Sequence, residues 1–93
     1  MNRAQQFALN KLLEECGELV TIVAKLGMFP DGYHPSRKFE GLPIWPDVAE
    51  EIADVRAAMC YFLKQFPEVP LAGLEARKQE KLELYEQYVN ESE

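Results

Sequence analysis

Two short stretches decide how this chain folds: Leu12-Leu13-Glu14-Glu15-Cys16-Gly17-Glu18-Leu19 and Val48-Ala49-Glu50-Glu51-Ile52-Ala53-Asp54-Val55. Each sets two carboxylates three positions apart, Glu15/Glu18 and Glu51/Asp54, among apolar residues. On an α-helix such a pair shares one face, where like charges repel. Two copies of a pattern that weakens a bare helix call for a compensating ligand. A divalent cation is the simplest.

Helical phase sharpens this reading. At about 100° per residue, with Glu15 at 0°, Ile22, Leu26, Leu19 and Leu12 fall between about −20° and +60°. Glu18 then lies at the rim near −60° and Glu14 near −100°. With Glu51 at 0°, Ala58, Phe62, Val55 and Val48 fill the same arc, Asp54 sits near −60° and Glu50 near −100°. Glu15 and Glu51 are therefore expected inside apolar faces, Glu18 and Asp54 at their edges, and Glu14 and Glu50 in solvent. A carboxylate buried without a partner is costly or takes up a proton. Two helices packed side by side and pooling four carboxylates thus imply bound cations. Oxygen ligands without His or Cys suit Mg²⁺ or Mn²⁺ rather than zinc. A di-iron bundle would want Glu-x-x-His pairs, and the single histidine, His34, lies outside the helical patterns.

Apolar residues at three- and four-residue steps predict a helix over about 2–28, ended by Gly27 and the Pro30-Asp31-Gly32 turn. Residues 29–46 read as a long loop with Phe29, Tyr33, Phe39 and Trp45 set among prolines, of a length that is usually functional or mobile. A second helix is expected from Pro46-Asp47 to about residue 66, with either Pro in the first turn or Asp as the cap. The third, over about 71–90, carries Leu71, Leu74, Leu82, Tyr85 and Val89 on one stripe. No stretch has convincing strand character, so the fold class is all-α, in a single domain over 1–93.

Composition narrows the function. The 93 residues are 47% hydrophobic, more apolar surface than a small three-helix protomer hides alone, so self-association is expected. Leu13, Val20, Met59 and Leu63 are the candidate contacts. A net charge of −6 argues against nucleic acid or anionic membrane as the main partner. It is compatible with a phosphorylated small molecule where metal ions invert the local charge. Cys16 and Cys60 show no zinc or disulfide spacing and are expected to be buried free thiols. With no apolar leader and no spanning segment, the chain reads as cytoplasmic.

Glu14-Glu15-x-x-Glu18 followed by Glu51-x-x-Asp54 resembles the signature of the all-α nucleoside triphosphate pyrophosphohydrolases, the MazG-like superfamily. Leu12-Leu13 before the first motif, Gly17-Glu18-Leu19 within it and Asp54-Val55 after the second extend the likeness over most of residues 9–63. The resemblance implies that Glu15, Glu18, Glu51 and Asp54 are catalytic Mg²⁺ ligands. It implies hydrolysis of an NTP or dNTP to the monophosphate and pyrophosphate. It also implies three-helix protomers that assemble into four-helix-bundle dimers or tetramers. On the third helix it points to Arg77, Lys81 and Tyr85 as phosphate contacts, with Lys81 where the family usually has Asn. Lys78, on the apolar stripe, reads as a phosphate clamp or a lysine at a subunit edge. Trp45 or Tyr33 would stack on the base, with Arg37 or Lys38 near phosphate; alternatively Trp45 and Phe39 cover the bundle end. The rivals are a phosphoribosyl-ATP pyrophosphatase, a non-catalytic helical interaction module, and a sensor that binds nucleotide without turnover.

Overall fold

A computed structural model describes residues 1–29, 31–32 and 43–92. The expectations placed on Tyr33, His34, Arg37, Lys38 and Phe39 lie outside the described residues. Among the described residues the chain is three helices with no strand: α1 (Arg3–Met28), α2 (Trp45–Gln65) and α3 (Leu74–Ser92).

Local chemistry sets the ends. Asn2 and Gln5 form a capping box, the Asn2 side chain accepting from the Gln5 backbone N–H at 2.8 Å and the Gln5 side chain accepting from the Asn2 N–H at 3.0 Å. Two of the orphan donors of the first turn are satisfied this way. Helix α2 starts at Trp45, one residue before Pro46, with Pro46 in the first turn rather than Asp47 as the cap, and no side-chain cap from Ile44. Helix α3 starts at Leu74 because Gly73, at φ +88°, breaks the chain direction after Leu71.

Helices α1 and α2 run antiparallel against each other, the only pair of described helices in close contact. The α1 beginning meets the α2 end, where the Gln5 side-chain amide donates to the Gln65 carbonyl at 3.2 Å. At the other end the Ile44 N–H donates to the Gly32 carbonyl at 2.8 Å. Small residues line the seam: Ala8 and Ala58 are buried there, with Val55 and Ile44. These four are all the buried apolar residues described, and no large side chain is fully enclosed.

The shape explains the thin core. The chain measures 45 × 38 × 15 Å with a radius of gyration of 16.9 Å, against about 12 Å for a compact domain of this length. Among the described helices only α1 and α2 pack together, and α3 packs along neither. A single layer of helices cannot bury its own apolar faces. Leu13 and Val20 are accordingly 67% and 69% exposed, and Leu82, Tyr85 and Val89 of α3 are exposed as well. The expectation that Cys16 and Cys60 are buried is corrected: both are exposed free thiols, on helix faces outside the narrow α1–α2 seam. No helix among the described residues is long and apolar enough to cross a membrane.

Candidate metal centre

The antiparallel seam brings the two acidic stretches to the same level. Carboxylate oxygens of Glu15, Glu51 and Asp54 lie within 4.8 Å of one another, and so do those of Glu14, Glu15 and Glu18. Glu15 belongs to both groups and joins them into one site. Glu15 is only 9% exposed and Glu51 half-buried, whereas Glu18 and Asp54 stand exposed at the rim. That is the angular order read from helical phase.

With both acids deprotonated, two oxygens shut off from water have no donor, Glu15 Oε2 and Glu51 Oε1; a proton on Glu51 would be shared with Glu15. Buried polar atoms are ordinarily satisfied, because an unmade bond costs the full desolvation of the group. The electrostatics agree. Partial burial, then the adjoining Glu15 carboxylate, then Glu18 and Asp54 push the Glu51 carboxyl up to about 7. Glu18 is raised above the usual carboxylate range, first by the charge of Glu15 and then by desolvation. Protons enter where another cation is wanted. The donor set fits a hard divalent ion: all oxygen, with two acids held in the seam and two at its rim.

The surroundings are asymmetric. Toward the α1 end an open depression of ≈ 510 Å³ is walled by Glu18, Thr21, Lys25 and Glu51, with the Thr21 hydroxyl donating to the Gly17 carbonyl at 3.0 Å. Toward the α1 beginning a hollow of ≈ 290 Å³ lies among Phe7, Lys11, Tyr61, Glu15 and Asp54. Phe7 and Tyr61 meet edge-to-face with ring centroids 5.9 Å apart. Sequence reading missed this hollow. Neither ring belongs to the apolar arc centred on Glu15 or Glu51, and only the antiparallel register pairs them.

Glu14 is exposed, as its helical phase predicts, and pairs with Lys11 at 3.3 Å, while its carboxylate also borders the cluster. Glu50 is exposed. The third-helix candidates are not brought to the carboxylates within one chain. Lys78 pairs with Glu75 at 2.8 Å, Arg77 with Glu80 at 3.4 Å, and the Lys81 ammonium sits 5.7 Å from the Tyr85 ring centre. Trp45 packs over the turn at Gly32, where a Cβ would lie 2.7 Å from its indole nitrogen, and lines neither depression described above. No protein-family model, curated protein or solved structure matches the chain.

Proposed function

We propose that the chain is a Mg²⁺-dependent nucleoside triphosphate pyrophosphohydrolase, releasing pyrophosphate and the monophosphate from an NTP or dNTP, with Mn²⁺ as a possible substitute ion. The observation that carries the reading is the pair of buried, unpartnered oxygens, Glu15 Oε2 and Glu51 Oε1, inside a cluster of acids. Deprotonated, two such acids at one level of a seam are stabilised by a cation, which is what a metal-dependent hydrolase needs there.

In this reading Glu15, Glu18, Glu51 and Asp54 hold the metal. Bound there, divalent ions neutralise phosphate charge and lower the pKa of water. The chain supplies position. Ala8 and Ala58 let the helices approach closely enough to fix Glu15 against Glu51, and Thr21 and Lys25 offer a hydroxyl and a cation on the open side. Without metal the site repels an anionic substrate, so binding is ordered by charge: ion first or with the nucleotide.

The reading includes self-association into a dimer or tetramer. A helix pair that leaves Leu13, Val20, Ile52 and Met59 exposed along one side of its seam is completed by a second copy. A neighbour's third helix would then deliver Arg77, Lys78, Lys81 and Tyr85 to phosphates that this chain's own α3 does not approach. The decisive experiment is pyrophosphate release from a panel of NTPs and dNTPs with and without Mg²⁺. Mg²⁺-dependent release with a monophosphate co-product is expected. Absence of release from every member sinks the reading.

A further inference from the structure

The carboxylates lie between two unlike depressions, and that asymmetry orients a ligand. The open one has no aromatic wall and carries charged and hydroxyl side chains, Glu14, Glu18, Thr21, Lys25 and Glu51, around Gly17 and Ile22. The smaller hollow has aromatic walls, Phe7 and Tyr61, over a floor of Ala57 and Ala58, and its inner edge is formed by Glu15 and Asp54 themselves. Phe7 is 54% exposed and Tyr61 36% exposed, so two rings stand open to solvent beside the acids. They meet at an interplanar angle of 87°, presenting one ring face and one ring edge to whatever enters. Lys11 closes the side, its ammonium 5.8 Å from the Phe7 ring centre and 3.3 Å from Glu14.

We infer that this hollow receives the planar base of the nucleotide whose phosphates lie over the carboxylates, an assignment that rests on the pyrophosphohydrolase reading. A phosphate held by Glu15 and Asp54 through metal leaves the next part of the molecule at the mouth of the hollow. At ≈ 290 Å³ the space sits at the bottom of the range for small-molecule sites, about 300–1,000 Å³. It is suited to a ring rather than to a whole nucleotide. The alternative ring partner, Trp45, packs against Gly32 and shares neither depression with the acids, whereas Phe7 and Tyr61 line the same hollow as Glu15 and Asp54. The walls offer ring surface, one phenol hydroxyl and one ammonium, with no side-chain amide that would read a base edge. Stacking tolerates every base, so the assigned substrate class is nucleoside triphosphates generally, with weak discrimination among bases.

The test compares a ligand that has a ring with one that has none. Wild type, Tyr61→Leu, Phe7→Leu and Tyr61→Phe are assayed for KM and kcat on a nucleoside triphosphate and for inhibition by inorganic pyrophosphate. Helix content and thermal midpoint are followed alongside. For the two leucine variants KM should rise about tenfold, the loss of one stacking contact, with kcat within about twofold. The Ki for pyrophosphate should not move, and Tyr61→Phe, which keeps the ring and loses only the hydroxyl, should raise KM by less than Tyr61→Leu does. Unchanged KM in both leucine variants, or KM and Ki rising together, overturns the assignment and leaves the hydrolase reading standing. A wild-type chain that releases no pyrophosphate overturns both. Phe7 is more exposed than Tyr61, so Phe7→Leu still decides the matter if Tyr61→Leu fails to fold.

Discussion

The two sides of the α1–α2 seam differ more than any two parts of the chain. On one side stand Leu13, Val20, Ile52 and Met59, all exposed, with Leu12, Phe62, Leu63 and the first residue of α3, Leu74, around a small apolar cleft. On the other stand Glu18, Asp54, Lys25, Phe7 and Tyr61. In an antiparallel pair, residues displaced the same way from the contact line on both helices emerge on the same side. A positive displacement from Glu15 or Glu51 therefore collects hydrophobes, and a negative one collects acids and the two rings. Apolar surface left open calls for another layer of protein, whereas acids left open beside two buried oxygens call for ions. In the proposed reading one helix pair is divided between assembly and chemistry, and each side can be broken without the other.

The largest effect is expected from Glu51→Gln. It keeps the shape and removes a charge the metal needs, so hydrolysis should fall by about a hundredfold or more. Subunit mass should not change, because Glu51 faces the seam and not the apolar side. Pyrophosphate release and sedimentation on the same sample separate the two. Activity surviving in Glu51→Gln would remove the seam carboxylates from the mechanism.

Val20→Glu attacks the other side. A charge placed where a second copy packs should convert the assembly to single chains at micromolar concentration, seen by light scattering. Because the isolated layer has so thin a core, the monomer should also lose thermal midpoint as concentration falls. Lys25→Ala, on the carboxylate side, should leave mass alone. If Val20→Glu keeps the wild-type mass, the apolar side is not the interface.

How much of this division was legible beforehand follows from where the information resides. A 100° step is local, so helical phase alone located Glu15 and Glu51 in the seam and Glu18 and Asp54 at the rim. The all-α class followed from the same periodicity. The pairing of Phe7 with Tyr61 depends on antiparallel register, a property of two helices together, and no single-helix pattern contains it. The exposure of Cys16 and Cys60 was misread because an apolar stripe says that something covers it, not that the same chain does. Arg77, Lys78, Lys81 and Tyr85 share that difficulty: their spacing was visible, but where α3 lies relative to the acids is not contained in the pattern of one helix.

A smaller effect tests the acids as a titrating unit. In metal-free protein the folded state holds the Glu51 proton up to about 7, while an unfolded glutamate releases it near ~4.3. Between those values the native state binds more protons, so stability is fully present below the lower value and falls as pH rises toward 7. Glu18, raised as well, adds to the same trend. The difference in thermal midpoint between wild type and Glu51→Gln should therefore shift toward the variant as pH climbs from 4 to 8. Saturating Mg²⁺ should cancel or reverse the shift, since the ion binds the deprotonated acids. A pH-independent difference would show that the carboxylates are too well solvated to interact.

The smallest effect is expected from Gly32→Ala, and it bears on which ring lies near the nucleotide. Gly32 adopts φ +83°, a conformation that costs a residue with a Cβ about 1–2 kcal/mol, and the new methyl would press on the Trp45 indole at 2.7 Å. Trp45 is 54% exposed and can swing aside, so backbone strain should dominate the loss, a midpoint drop of about 4–8 °C per kcal/mol. The displaced indole is the informative part. Trp45 lies on the α2 flank away from Phe7 and Tyr61, so moving it should leave nucleotide KM and metal affinity unchanged. The single tryptophan's fluorescence should report the movement all the same. A raised KM with a changed emission would instead put Trp45 against the base, transfer ring recognition from the α1 beginning to the segment before α2, and reverse the direction in which a nucleotide lies along the seam.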